Sequence, residues 1–265
     1  MPSIIVSADV PDTGHAIGEK VAQALGYGFV GRELLEEVAE RHAVDKKRLW
    51  RALTPSSYRK LAKRERDLLL SYVESATLQE LTKDSMVCTD LAAHLYARDI
   101  SHILMIHILS ESQTGLRGIK PANDASQRRA TKTRLQEKAL RSRWSTECFS
   151  VDETDPSNYD MVLSLGQIEI DKLVDVMRDM AGYRKFQSMS YSQKCLNDLS
   201  LAAAVRTALL PNHPEIRVRA NGETVVVHVK CSRWKKQNVV ASIKEIVGQF
   251  DVVGLVEVHA ATKIP

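Results

Sequence analysis

The segment Asp9-Val-Pro-Asp-Thr-Gly14-His15-Ala16 directly follows the apolar run at residues 4–6. A strand that turns into a helix through a glycine brings backbone N–H groups and a helix N-terminus to one point, where an anion can sit. In the phosphate-loop frame G-x-x-x-x-G-K-[ST], Asp9 takes the first glycine position and Gly14 the second. His15 takes the lysine position and Ala16 the hydroxyl position. Phosphate chemistry here would rest on Asp12, Thr13, Gly14, His15, Ala16 and Gly18. The competing reading is a plain turn with Asp12 or Thr13 as helix N-cap. His94, His102 and His107 are metal-ligand types, but His102 and His107 lie five apart on one predicted strand and would face opposite sides. Core or surface histidines with satisfied ring nitrogens are the expectation. Ser7, Asp12 and His15 are hydrolase types without a G-x-S-x-G elbow, and no triad is expected from them.

The elements that must hold this turn follow from periodicity. Residues 4–6, 86–88, 103–109 and 161–165 read as buried strands, with a short one at 27–30. Helical patterns run from residue 16 to Gly26, over 32–42, 68–81 and 168–180. Such alternation predicts a parallel sheet covered on both faces. Residues 185–190 read as a linker. Beyond it a helix at 194–210, a strand at 216–220, the turn Asn221-Gly222, a strand at 225–229, a helix at 238–250 and a strand at 252–258 form a small α+β unit.

The chain has 265 residues, 44% hydrophobic and 26% charged, with a formal charge of +4. A globular core is within reach, and the charge is too small to imply nucleic acid. Residues 41–66 hold ten Lys/Arg against two acids, and 117–143 nine against two. No aromatic platform accompanies either run, so solvated basic helices are expected and nucleic acid is not an expected partner. Trp234, in Arg233-Trp-Lys-Lys236, is the best candidate for an exposed contact. Four scattered cysteines, no leader-like segment and no long apolar run point to a cytoplasmic protein with reduced thiols and no transmembrane helix.

Three segments in order resemble the cytidylate-kinase-like family of P-loop proteins. Residues 6–18, VSADVPDTGHAIG, align without gaps with I-S-R-E-Y-G-S-G-G-R-E-I-G. Residues 25–35, LGYGFVGRELL, look like L-G-x-x-F-x-D-R-E-L-L, and residues 155–163, DPSNYDMVL, look like D-P-S-x-Y-D-L-V-x. The resemblance covers about residues 1–184. It implies a three-layer P-loop kinase-like domain at 1–184, with ATP/Mg2+ or another nucleotide as cofactor. It also implies acceptor or lid cations, for which Arg32, Arg117, Arg128, Arg129 and Arg134 are candidates. Residues 191–265 resemble a BON-type domain, which implies a protein or lipid partner. The departures lie in the loop: Pro11 and Thr13 replace glycines, His15 replaces an arginine, and Gly31 replaces the Asp of D-R-E-L-L. Phosphoryl transfer relies on positioned cations, so the expected function is a degenerate nucleoside-monophosphate-kinase-like protein. It would bind a nucleotide or phosphometabolite in a regulatory or scaffolding role, with no catalytic residue assigned. The alternatives are an active kinase with an unusual loop, or a binding module acting through 191–265.

Overall fold

The computed structural model describes residues 2–109, 125–166 and 168–262. Five parallel strands, β1 (Ser3–Ala8), β2 (Gly28–Val30), β3 (Met86–Thr89), β4 (Ile103–Leu109) and β5 (Met161–Ser164), form a sheet of order β2-β3-β1-β4-β5. Ile4, Ile5 and Val6 are all at most 2% exposed, as a central strand covered on both faces requires. Alternate side chains feed two cores. Ile5, Cys88 and Met105 meet α2 (Leu34–Arg41), α3 (Lys46–Leu53), α4 (Lys63–Leu81) and α6 (Ala125–Phe149). Ile4, Val87 and Leu104 meet α1 (Pro11–Leu25) and α7 (Ile170–Ala181).

α3 went unread in the sequence because its apolar positions sit inside a basic run. Leu49, Ala52 and Leu53 are buried at helical spacing while Lys46, Lys47, Arg48 and Arg51 stay outside. The short α5 (Ala93–Tyr96) was also missed. The expected N-cap is corrected: α1 begins at Pro11 with Val10 as its cap residue and no side-chain cap, because proline suits the first helical position. Gly26 ends the helix at φ 67°, as expected.

The remaining chain forms α8 (Ser190–Leu209), β6 (Ile216–Asn221), β7 (Thr224–Lys230), α9 (Lys236–Val247) and β8 (Leu255–Ala261). α8 starts four residues earlier than its pattern suggested. β8 starts three residues later, since Thr224 pairs with Leu255. The hairpin at Asn221-Gly222 forms, with Gly222 at φ 58°, and β8 adds to β7 in parallel. α8 faces two ways. Leu196 and Ala203 enter the large core, Thr207 Oγ1 donates to the Ser71 carbonyl at 2.9 Å, and Arg206 meets Glu74 at 2.9 Å. Val205 and Leu209 enter the small sheet's core. In the segment read as a linker, Phe186 is buried. No described helix is long and apolar enough to cross a membrane.

Candidate functional site

Only Asp9 and Val10 separate β1 from α1. In the phosphate-loop frame the residues between the two glycines arch around the anion. Here Pro11, Asp12 and Thr13 are already helical, so that arch does not form. The Thr13 and Gly14 N–H groups both donate to the Val10 carbonyl at 3.1 Å, and Pro11 has no N–H to offer. Gly14 answers to packing: a Cβ there would lie 2.7 Å from Ala8 Cβ. Gly18 does too, since its Cβ would lie 2.5 Å from Thr89 Cγ2.

His15 turns inward among carboxylates. Its Nδ1 lies 3.1 Å from Asp90 Oδ2, and its Nε2 lies 3.4 Å from Glu33 Oε1 and 3.7 Å from Glu19 Oε1. Ala16 supplies no hydroxyl. Arg32 is held by Asp12 at 2.8 Å and Asp90 at 3.2 Å, and lies over Trp50 at 5.9 Å. Burial pushes the Asp90 carboxyl up, against the pull of Arg32 and His15. The structure thus brings Asp12, His15 and Arg32 together around Asp90. Arg117 and the side chains of Arg128, Arg129 and Arg134 lie outside the described residues.

Beside the turn, a buried ionic network closes the C-terminal ends of the central strands. Arg141 of α6 pairs with Asp9, and its Nε donates to Glu153 Oε1 at 2.8 Å. Glu153 Oε2 lies 3.0 Å from His94 Nε2. His107, next to Ser7 in the β1–β4 register, lies 3.2 Å from Ser7 Oγ and 3.4 Å from Asp9 Oδ1. Asp9 Oδ2 is buried with no hydrogen-bond partner among the described residues. Burial would raise Asp9 and Glu153, but His107 and Arg141 outweigh it for Asp9, and His94 and Arg141 for Glu153. Both stay below the usual carboxylate range. Burial pushes His94 down. His102 departs from expectation: it precedes β4, is fully buried, and neither ring nitrogen has a partner among the described residues.

The D-P-S-x-Y-D segment has a structural account. Asp155 accepts from the Ser157 N–H at 2.9 Å, the Tyr159 ring lies 4.8 Å from His107, and Asp160 Oδ2 accepts from the Met105 N–H at 3.0 Å. Sequence reasoning missed Arg141, Glu153, Asp90 and Trp50 as site residues. Arg141 was one of nine cations in its run, and nothing local set it apart.

A cavity of about 420 Å³ opens between the ends of β1 and β3, the end of α3 and α6. Its walls include Asp9, Trp50, Asp90, Leu140, Arg141 and Glu153. The Trp144 Nε1–H donates to the Ala52 carbonyl at 3.0 Å and fixes α6 against α3. Asp90 and Ala92 at its edge both hold left-handed backbone, φ 63° and 60°. Such strain collects at ligand sites, and a crevice beyond the carboxyl ends of parallel strands is where open α/β sheets bind ligands. A nucleotide-kinase fold implies nucleotide and Mg2+ in general. At this turn, however, the residues do not fit a triphosphate with its metal. The amides of Thr13 and Gly14 are spent, the lysine and hydroxyl positions are empty of those groups, and carboxylates crowd the space. Among the described residues no cluster of three or more His, Cys, Asp or Glu side chains could hold a metal ion.

Residues 4–167 match the model of the "Cytidylate kinase-like family". A search of curated proteins finds no match. The chain also resembles the crystal structure of an uncharacterized protein from Eubacterium ventriosum ATCC 27560. The TM-score is 0.44 at 15% identity, over 69% of this chain and all of that one.

Proposed function

The chain belongs to the cytidylate kinase-like family, and we propose that it is a degenerate member, which keeps the nucleotide-kinase fold and a ligand pocket but does not transfer phosphoryl groups. One observation carries this reading: the helix after β1 starts at Pro11, and the loop amides of Thr13 and Gly14 bond to Val10 instead of facing an anion. Phosphoryl transfer depends almost wholly on positioning and on cations around the γ-phosphate. Here His15 and Arg32 are both held by acids.

The proposed role is regulatory or scaffolding. The ligand is a nucleotide or phosphometabolite whose uncharged part fills the cavity, between Trp50, Leu140 and the polar groups of Asp9 and Arg141. A cavity of about 420 Å³ falls in the usual range for small-molecule sites. Thermal-shift titration tests this with cytidine, CMP, CDP and ATP, each with and without Mg2+. The reading expects stabilisation by a nucleoside-bearing ligand that does not require Mg2+. Stabilisation that appears only with ATP and Mg2+ together would overturn it. A second reading assigns a separate binding role to the BON-like unit at 191–265, and the fully exposed indole of Trp234 favours it.

A further inference from the structure

The small sheet runs in the order β6-β7-β8, so β6 and β8 are its edges. The Leu255 N–H donates to the Glu223 carbonyl at 3.2 Å, and the Ala261 carbonyl accepts from the Cys231 N–H at 2.9 Å. Along a parallel ladder, alternate residues turn both backbone groups to the same neighbour. Leu255, Glu257, His259 and Ala261 therefore bond to β7, and Val256, Val258 and Ala260 turn their N–H and C=O groups away from it. Among the described residues no strand pairs with that side.

The core beneath this edge is also unfinished. Val225, Val227 and Val229 of β7 are at most 2% exposed, whereas Val256, Val258 and Ala260, which border the same core, are only partly buried. Leu255 is 53% exposed. Edge strands are ordinarily kept from pairing by shortness, by proline or by lysine. β8 runs for seven residues, LVEVHAA, and uses none of these.

The placement of its polar residues selects the occupant. When a second copy is laid antiparallel about Val258, Val258 opposes Val258, Val256 opposes Ala260, and Glu257 opposes His259, the unlike pairs each occurring twice by symmetry. The hydrogen-bonded pairs then use the backbone groups that β7 leaves free. Glu257 and His259 fall at the pairs between them, where opposed side chains come closest, and a carboxylate meets an imidazole donor. Within one copy these two lie 3.8 Å apart, too far for a hydrogen bond, and their side chains are 49% and 57% exposed. β6 is built the other way. The same arrangement about Val218 would set Arg217 of one copy against Arg219 of the other, and like charges directly opposed repel.

We propose that β8 is a dimerisation edge, at which two copies of the chain pair their β8 strands antiparallel about Val258 and join their small sheets into one. The two-fold pairing is closed, so it stops at the dimer. A contact of seven residues a side is small for a specific interface, so the dimer is weak and concentration-dependent.

Sedimentation equilibrium of the full chain from about 5 to about 500 µM tests it, and a monomer–dimer equilibrium is expected. His259→Glu sets acid against acid at both symmetric positions and should weaken the dimer about 2- to 30-fold. Glu257→Lys/His259→Glu sets lysine against glutamate at the same positions and should restore it. Ala260→Pro removes an N–H that β7 does not use, and proline is tolerated on an edge strand, so it should abolish the dimer. Circular dichroism checks that each variant keeps the fold. Three results would each overturn the proposal: a monomer at every concentration, a dimer that His259→Glu leaves as tight as before, or association that continues past the dimer, as pairing of β8 with β6 of the next copy would produce.

Discussion

The β1–α1 turn and the outer face of β6–β8 are built in opposite ways. At the turn every cation described has an acid: Arg141 has Asp9 and Glu153, Arg32 has Asp12 and Asp90, and His15 sits among three carboxylates. The amides are closed onto Val10. The outward positions of β6–β8 are exposed or half-exposed, and in the turn after β7 the indole of Trp234 stands bare in water. Family membership fixes the fold around the turn, while the chemistry on offer at the turn is set by the residues that stand there. The sheet still delivers β1 to the same edge, because β-branched burial fixes the strand. The turn at its end follows from Pro11 and from local acid–base pairing.

Substitutions can break or sharpen this contrast. The largest effect should come from Arg141→Met, which leaves Asp9 and Glu153 buried without their cation. Breaking a buried pair costs about 3–5 kcal/mol, and urea denaturation should show a loss of that order. A loss under 1 kcal/mol would mean that the network does not hold the turn closed. Next, Gly18→Val should cost about 1–3 kcal/mol by overpacking against Thr89 and Phe29. If it instead left stability unchanged while altering ligand binding, the glycine would belong to a phosphate site after all.

Acid should weaken the network. His94 is held below its unfolded pKa of about 6.5. The stability it contributes is full above that value and drains as pH falls from there toward the folded pKa. Asp9 and Glu153 are also depressed, so their contribution persists down to about pH 4 and is lost as pH falls through their folded values. The melting temperature should therefore decline from pH 7 to pH 5, and His94→Gln should flatten that decline. An unchanged decline in the variant would place its origin elsewhere. The smallest expected effect is from His15→Lys/Ala16→Ser, which supplies the lysine and hydroxyl of the general phosphate-loop frame. ATP turnover should stay at background, because the backbone still starts its helix at Pro11.

Much of the fold could be read from pattern. β1, β3, β4 and β5 are apolar runs bounded by turns, and Asn221-Gly222 marks a hairpin by its own chemistry. α3 could not be read, because Leu49, Ala52 and Leu53 were masked by the cations around them. The site was less legible for a different reason. Asp9 and Arg141 are 132 residues apart, and His15 and Asp90 are 75 apart. Spacing along the chain carries no trace of such pairs. The sequence did reveal that His15 and Ala16 stand at the lysine and hydroxyl positions of the general phosphate-loop frame, and that Pro11 and Thr13 stand where the family pattern has glycines. It did not reveal that Thr13 and Gly14 turn their amides inward, since that follows from where α1 starts.

The most direct test of the central claim is a coupled assay of phosphoryl transfer from ATP to CMP and dCMP, with Mg2+, comparing the natural chain with Gly14→Val. The account predicts the same background rate for both. Mg2+-dependent turnover in the natural chain that Gly14→Val abolishes would contradict it, and would show that the turn opens into a working phosphate loop.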